Sequence, residues 1–270
     1  MKINIVDTTL RDGEQRPGIA LRMVEKINIA KMLSELGIYQ IEAGIPAMGG
    51  DEKRYIIKLM DLGLDSKIST WNRMSINDIK DSMDCDPHII HISVPSSDIQ
   101  IQRKLHKNRT WVVENMKKCI TYAKSKDYEV TIGLEDASRA DCEFLTKLIG
   151  TANEMGVNRF RYADTVGILY PKIIYERVSR IKKQFRSIDL EIHAHNDLGM
   201  AVSNSMSAVK AGALYVDCTI AGIGERVGNC DYLKFITAAK AIYGYCNGVN
   251  LKNILRVQKS ILGMIKSTAS

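Results

Sequence analysis

The stretch LEIHAHNDLGMAVSNSMSAVKAGALYVDCTIAG, residues 190–222, decides the fold. It opens on LEIHAH (190–195), which reads as a strand, and passes through SMSAVKAGA (205–213), which has helical periodicity. It closes on a second strand-like run, YVDCTIAG (215–222). Two strands joined through a helix are parallel, because a parallel pair needs a long crossover where a hairpin does not. The same unit recurs along the whole chain. Further strand-like runs are INIVDTT (3–9), YQIEAGI (39–45), KISTW (67–71), IIHISV (89–94), EVTIGLE (129–135) and RFRYADT (159–165). Helical segments lie between them, among them EKINIAKMLSELG (25–37), WVVENMKKCITYAKSK (111–126), FLTKLIGTANEMG (144–156) and IIYERVSRIKKQF (173–185). Gly37 and Gly156 stand where a helix C-cap glycine is expected, each just before a strand.

Eight such units fit a closed α/β barrel, the (β/α)8 or TIM barrel, which takes about 250 residues. A doubly wound open sheet is the alternative. It collects its chemistry at one switch-point crevice, often behind a glycine-rich first turn. The first turn here, LRDGEQRPG (10–18), has no such pattern. The expected organisation is a barrel over residues 1–248 and a helical extension over 249–270. In the extension Leu251, Ile254, Leu255, Ile261, Leu262 and Ile265 recur at helical spacing, with a gap at Gln258.

Composition narrows the function classes. Of the 270 residues 45% are hydrophobic and 26% charged, a globular profile. No apolar run reaches the roughly 18 to 20 residues of a membrane span. The N-terminal MKINIVDTTLRDGE enters a strand-like pattern directly, so a cytoplasmic location is expected, with no membrane partner. The six cysteines are scattered without a CxxC pair, which argues for reduced thiols rather than a disulfide framework or zinc knuckle. The formal charge is +7, with a basic concentration between Arg103 and Lys126. No aromatic or glycine motif of a nucleic-acid binder accompanies it, so a solvated helix face is expected and nucleic acid is not. An anionic small-molecule substrate suits the modest positive field.

In a barrel of this kind the chemistry gathers at the C-terminal ends of the strands. Those ends carry Arg11, Asp12 and Gln15 after strand 1, Glu42 on strand 2, and Asn72 and Arg73 after strand 3. Strand 5 ends in Glu135-Asp136, strand 6 in Asp164-Thr165, and strand 7 in His193-Ala194-His195-Asn196-Asp197. Strand 8 runs into GIGERVGN (222–229). His193 and His195, two of only five histidines, are spaced so that on a strand they face the same way. Strand 8 of a closed barrel neighbours both strand 7 and strand 1, which makes Asp12 and Asn229 the natural third and fourth ligands of a metal ion. Two imidazoles, a carboxylate and an amide oxygen suit a divalent ion such as Zn, Mn or Co, with Mg a further option. A pair of hydrogen-bonded histidines at a strand end also fits the two imidazoles taken alone.

Longer motifs add to this. LRDGEQ (10–15), with Lys26 after ten intervening residues, resembles the first signature of the α-isopropylmalate synthase and homocitrate synthase family. LEIHAHNDLGMAVS (190–203) is similar to the second signature, and GIGERVGN (222–229) to a third landmark. The chain is identified as a member of that family of metal-dependent, acyl-transferring TIM barrels. The resemblance implies Asp12, His193, His195 and Asn229 as ligands of a divalent ion. It implies Arg11 as the group that stabilises the enolate of acetyl-CoA, Glu135 as a catalytic glutamate, and Thr165 and Gln15 as contacts of the 2-oxo acid. STWNR (69–73) and TIGLEDASRAD (131–141) look most like the nitrogen-fixation homocitrate synthases, which implies 2-oxoglutarate as the second substrate. Isopropylmalate or citramalate formation from another 2-oxo acid is the alternative, followed by a hydroxyacyl-CoA lyase or a non-catalytic subunit. Full-length members continue past the barrel. The chain therefore resembles the barrel-only subunit, called omega, of a split enzyme whose alpha chain carries the remainder. A homo-oligomer, such a separate subunit, or both are the expected partners.

Overall fold

Eight parallel strands close on themselves in chain order: β1 (Asn4–Asp7), β2 (Gln40–Gly44), β3 (Lys67–Arg73), β4 (Ile89–Pro95), β5 (Glu129–Glu135), β6 (Arg159–Asp164), β7 (Asp189–Ala194) and β8 (Tyr215–Cys218). The barrel shuts where Asn4–Asp7 lie in register with Tyr215–Cys218. Helices α1 (Met23–Glu35), α2 (Gly50–Met60), α3 (Ile76–Met83), α4 (Arg109–Lys124), α5 (Cys142–Glu154), α6 (Pro171–Gln184), α7 (Ala201–Lys210) and α8 (Tyr232–Tyr243) follow the strands in turn. A ninth helix, α9 (Leu251–Thr268), comes last. This computed structural model describes residues 3–246 and 248–268, with side chains to residue 266. Residues 1–2, 247 and 269–270, which the expected barrel and extension include, lie outside the described residues.

Local chemistry explains the elements. Strands covered by helices outside and packed inside are buried on both faces, and every residue of β2 and β6 is buried. Four helices start on a side-chain cap: Ser75, Asn108, Asp141 and Asp231 each accept from the backbone N–H three residues on. Gly37 and Gly156 both take left-handed φ, +76° and +82°, as expected for helix C-caps.

Several strands end earlier than their apolar runs. β1 stops at Asp7 because its Oδ1 accepts from the Thr9 N–H at 2.9 Å and turns the chain. β8 stops at Cys218, and Ala221 and Gly222 leave it in a left-handed turn rather than extending it to 222. β7 stops at Ala194, so His195 lies just beyond the strand, in an isolated antiparallel bridge with Asn229. The extra helix forms as expected and packs on α8 and α1. Its inward residues are Ile254, Val257, Ile261 and Ile265, whereas Leu255 is exposed. All six cysteines are free, and among the described residues no helix is long and apolar enough to cross a membrane.

Candidate active site

A cavity of about 400 Å³ opens at the C-terminal ends of the strands. Seven of the eight residues singled out from the sequence line it: Arg11, Asp12, Gln15, Glu135, Thr165, His193 and His195. Trp71 and Arg73 on the β3 side, Trp111 on α4, and Ser93 and Arg161 deeper in complete much of the wall. Asn229 stands behind Asp12 rather than on the wall. Its Nδ2 donates to Asp12 Oδ1 at 2.7 Å and to the Ile223 carbonyl at 3.1 Å. This close approach depends on Gly224, where a Cβ would overlap the Asn229 amide and crowd Asp12.

Asp12, His193 and His195, all buried, bring one carboxylate oxygen and two imidazole nitrogens within 4.8 Å of one another. His193 Nε2 lies 3.3 Å from His195 Nε2 and 3.5 Å from Asp12 Oδ2. On its other side His193 Nδ1 meets Asp217 Oδ2 at 3.0 Å, the carboxylate-behind-histidine arrangement that orients metal ligands. Burial alone would lower the His193 pKa, but Asp12 and Asp217 outweigh it and hold it at about 9. Burial and the neighbouring His193 push His195 down to about 3. The two imidazoles are therefore pushed in opposite directions, His193 toward its charged form and His195 toward its neutral one, in the place where a divalent ion would sit. Asn229 Oδ1 is buried without a partner beside them. The donor set thus fits a divalent ion, with three donors converging and an amide oxygen in reserve.

The cluster is one arc of a closed ring of charged side chains, in which Arg161 and Asp217, with Glu191 attached, have no counterpart among the residues expected from the sequence. Asp12 Oδ2 accepts from Arg11 Nη1 at 2.9 Å, and Arg11 Nε donates to Glu42 Oε1 at 2.5 Å. Glu42 Oε2 accepts from Arg161 Nη2 at 2.6 Å, and Arg161 Nε reaches Asp217 Oδ2 at 2.9 Å. Asp217 leads back to His193, and Arg161 also binds Glu191. Arg161 is 2% exposed and is the largest fully buried side chain. Burial would raise the Glu42 carboxyl, yet Arg11 and Arg161 hold it well below the usual glutamate range. Glu191 is held down to about 2 in the same way, against its burial, by Arg161 and Arg159. Burial by contrast pushes Asp217 up to about 7, although Arg161 opposes it. Arg11 therefore pairs with both Asp12 and Glu42 and still lines the cavity.

On the opposite wall Thr165 Oγ1 donates to Glu135 Oε2 at 3.1 Å and accepts from the Asp136 N–H at 2.9 Å. Lys26 of the first signature stays out of the cavity. It ties Glu14, at 2.6 Å, to Glu52 of α2, at 2.5 Å, and so fixes the connection that carries Arg11, Asp12 and Gln15. In the basic stretch, Arg109 and Lys117 pair with Asp98 and Glu114 in solvent, and Lys104 alone of that run reaches the cavity wall with a charge.

A family model described as HMGL-like matches residues 2–261. The chain is 58% identical over 244 residues to the homocitrate synthase subunit alpha of Clostridium pasteurianum, covering 90% of each chain. That barrel-length relative bears the label alpha, where the sequence reading attaches omega to the barrel chain. A 2-isopropylmalate synthase of Caldanaerobacter subterraneus is 42% identical over 259 residues, 96% of this chain and 67% of that one. Among solved structures, an HMG-CoA lyase of Bacillus subtilis superposes with a TM-score of 0.85 at 17% identity, covering 98% of this chain and 94% of that one. At such identity the likeness speaks for the barrel alone.

Proposed function

Because the chain belongs to the HMGL-like family, we propose that it is the barrel chain of a homocitrate synthase. It joins the methyl carbon of acetyl-CoA to C2 of 2-oxoglutarate and hydrolyses the thioester, giving homocitrate and CoA, here for synthesis of the nitrogenase cofactor. The observation that carries this reading is the 58% identity, across 90% of both chains, to a homocitrate synthase subunit.

The cavity's residues suit the chemistry. Condensation needs a proton removed from the thioester methyl and the resulting enolate held. Arg11, fixed from behind by Asp12 and Glu42, offers a permanent cation where that charge develops. Glu135 is the group to take and return protons, with the Thr165 hydroxyl orienting its carboxylate. Gln15 supplies an amide donor for the carboxylate of the 2-oxo acid, and Thr165, whose single hydroxyl proton goes to Glu135 here, would turn it to that carboxylate when the substrate enters. A divalent ion (Zn, Mn, Co or Mg) held by Asp12, His193 and His195, with Asn229 behind Asp12, would supply a Lewis acid and a template for the 2-oxo acid. The barrel chain works with a second polypeptide, a second copy of itself, or both, in keeping with the subunit name of its relative.

The test is release of free thiol from acetyl-CoA with a panel of 2-oxo acids, each divalent ion in turn, and the chain alone and with a candidate partner. Release that depends on 2-oxoglutarate and on an added ion supports the proposal. A clear preference for 2-oxoisovalerate or pyruvate overturns it in favour of isopropylmalate or citramalate formation. Full rate from the chain alone removes the second polypeptide.

A further inference from the structure

Arg226 belongs to the GIGERVGN landmark, yet the reaction as written gives it no part. Its backbone lies in the left-handed region, φ +53°, which a non-glycine residue adopts at a cost and which tends to mark functional geometry. Its guanidinium joins three strand-end connections. Nε and Nη2 donate to Asp197 Oδ1 and Oδ2 at 2.7 and 2.9 Å, a two-pronged pair with the connection after β7. Nη2 also donates to the carbonyl oxygen of Thr165, after β6, at 2.9 Å. Nη1 reaches Glu225, its own neighbour after β8, at 3.2 Å.

Features around the contact are shaped to it. A Cβ on Gly167 would overlap the Asp197 carboxylate, so glycine there lets the β6 connection come up against the pair. The Asn196 N–H donates to the Gly228 carbonyl at 2.9 Å, and His195 bridges Asn229, which binds the β7 and β8 connections backbone to backbone. Asp197, Arg226 and Gly167 come from three separate stretches of chain, HND (195–197), GERVGN (224–229) and ADTVG (163–167). The arginine side chain is 40% exposed. An ion pair so exposed adds little to stability, which turns attention from stability to the geometry it holds.

We propose that Arg226 is a positioning residue. By gripping Asp197 and the Thr165 carbonyl together, it holds the Thr165 hydroxyl against Glu135 and so sets the site that receives the carboxylate of the 2-oxo acid. The role given to Thr165 rests on the proposed function. The grip itself rests on the contacts above. A lysine carries the charge but not the planar fork, so it can keep one of the two attachments and not both.

The experiment compares Arg226→Ala, Arg226→Lys, Asp197→Ala and the Arg226→Ala/Asp197→Ala double variant in the full chain, with its partner where one is needed and at saturating divalent ion. Arg226→Ala is expected to unfold within a few degrees of the parent and to raise the KM for the 2-oxo acid by about tenfold or more, the size of a lost charged hydrogen bond. The KM for acetyl-CoA changes much less. Arg226→Lys recovers part of the loss, and the double variant is no worse than the worse single one. An unchanged 2-oxo-acid KM, or losses that simply add in the double variant, overturns the proposal. Amide hydrogen exchange without substrates gives a readout independent of turnover. The grip predicts faster exchange at residues 165–168 and 226–229 in Arg226→Ala, with β2 to β5 unaffected, and equal exchange in parent and variant overturns it. If no 2-oxo acid is turned over by the parent, the proposed function fails, while the exchange comparison still decides the grip.

Discussion

Replacing Arg161 by methionine tests whether the ring of buried charges is held by its central cation. Methionine keeps much of the length and apolar bulk, but it leaves Glu42, Glu191 and Asp217 without the guanidinium they share. Removing one partner of a buried ion pair costs about 3–5 kcal/mol, because the charge left behind stays desolvated. At roughly 2–4 °C per kcal/mol for a chain of this size, the unfolding midpoint should fall by about 6–20 °C at pH 7. The loss should also depend on pH in a defined direction. In the parent, Glu42 and Glu191 lie below the ordinary glutamate value of 4.5, with Glu191 at about 2, so their contribution is complete above 4.5 and lost only as pH falls through the folded values. In the variant Glu42 keeps only Arg11 and Glu191 only the more distant Arg159, so burial is less opposed, the carboxyls rise, and their penalty shrinks as pH falls from 7 toward 4.5. The gap between parent and variant, measured by urea or thermal unfolding followed by circular dichroism, should therefore be wide at pH 7 and narrower at pH 5. Equal midpoints at pH 7 would refute the electrostatic role outright. A gap of the same width at both pH values would reduce Arg161 to a packing residue.

Other outcomes follow from neighbouring contacts. Asp217→Asn weakens the support behind His193 Nδ1 and should lower affinity for the divalent ion about 10- to 100-fold, read by competition with a chromogenic chelator; unchanged affinity would remove Asp217 from that role. Gly224→Ala should displace the Asn229 amide and Asp12 and cut kcat/KM about 100-fold while the far-ultraviolet circular dichroism stays that of the parent; near-normal turnover would show that the Asn229–Asp12 contact is dispensable. Asp7, pushed by burial from 3.8 to about 7, is a carboxyl whose folded pKa is raised, so it removes stability progressively as pH climbs from about 4 to 7. Asp7→Asn should accordingly be the more stable form at pH 8, by up to about 4 kcal/mol, with the advantage gone near pH 4; an advantage independent of pH would contradict the burial argument.

The barrel was legible because each unit repeats the same alternation, and because the strands from β2 to β7 coincide with their apolar runs to within a residue or two. The parity of His193 and His195 also read correctly, although His195 reaches its place through the bridge to Asn229 rather than on the strand. The charged ring was not legible for a physical reason. Glu42 and Arg161 are 119 residues apart and meet only through the barrel's interior; Glu42 is the one charge of QIEAG, while RFRYAD carries Arg159, Arg161 and Asp164 with nothing to mark Arg161 as its partner. One signal was available. Glu191 shares the parity of His193, so the strand that aims imidazoles inward aims that carboxylate inward too. Asn229 was legible as a ligand from barrel closure and from its motif, but its hold on Asp12 required the loop geometry that Gly224 permits.

The seam between β1 and β8 carries a temporal consequence. Arg11 and Asp12 precede His193, His195 and Asn229 by about 180 to 220 residues of chain. Only pairing of the first strand with the last brings the two groups together. The chain thus has no complete cluster to hold an ion until the barrel closes. Binding of a divalent ion is in that sense a completion signal. It distinguishes a shut barrel from every partly wound intermediate, including compact ones that already contain most of the sheet.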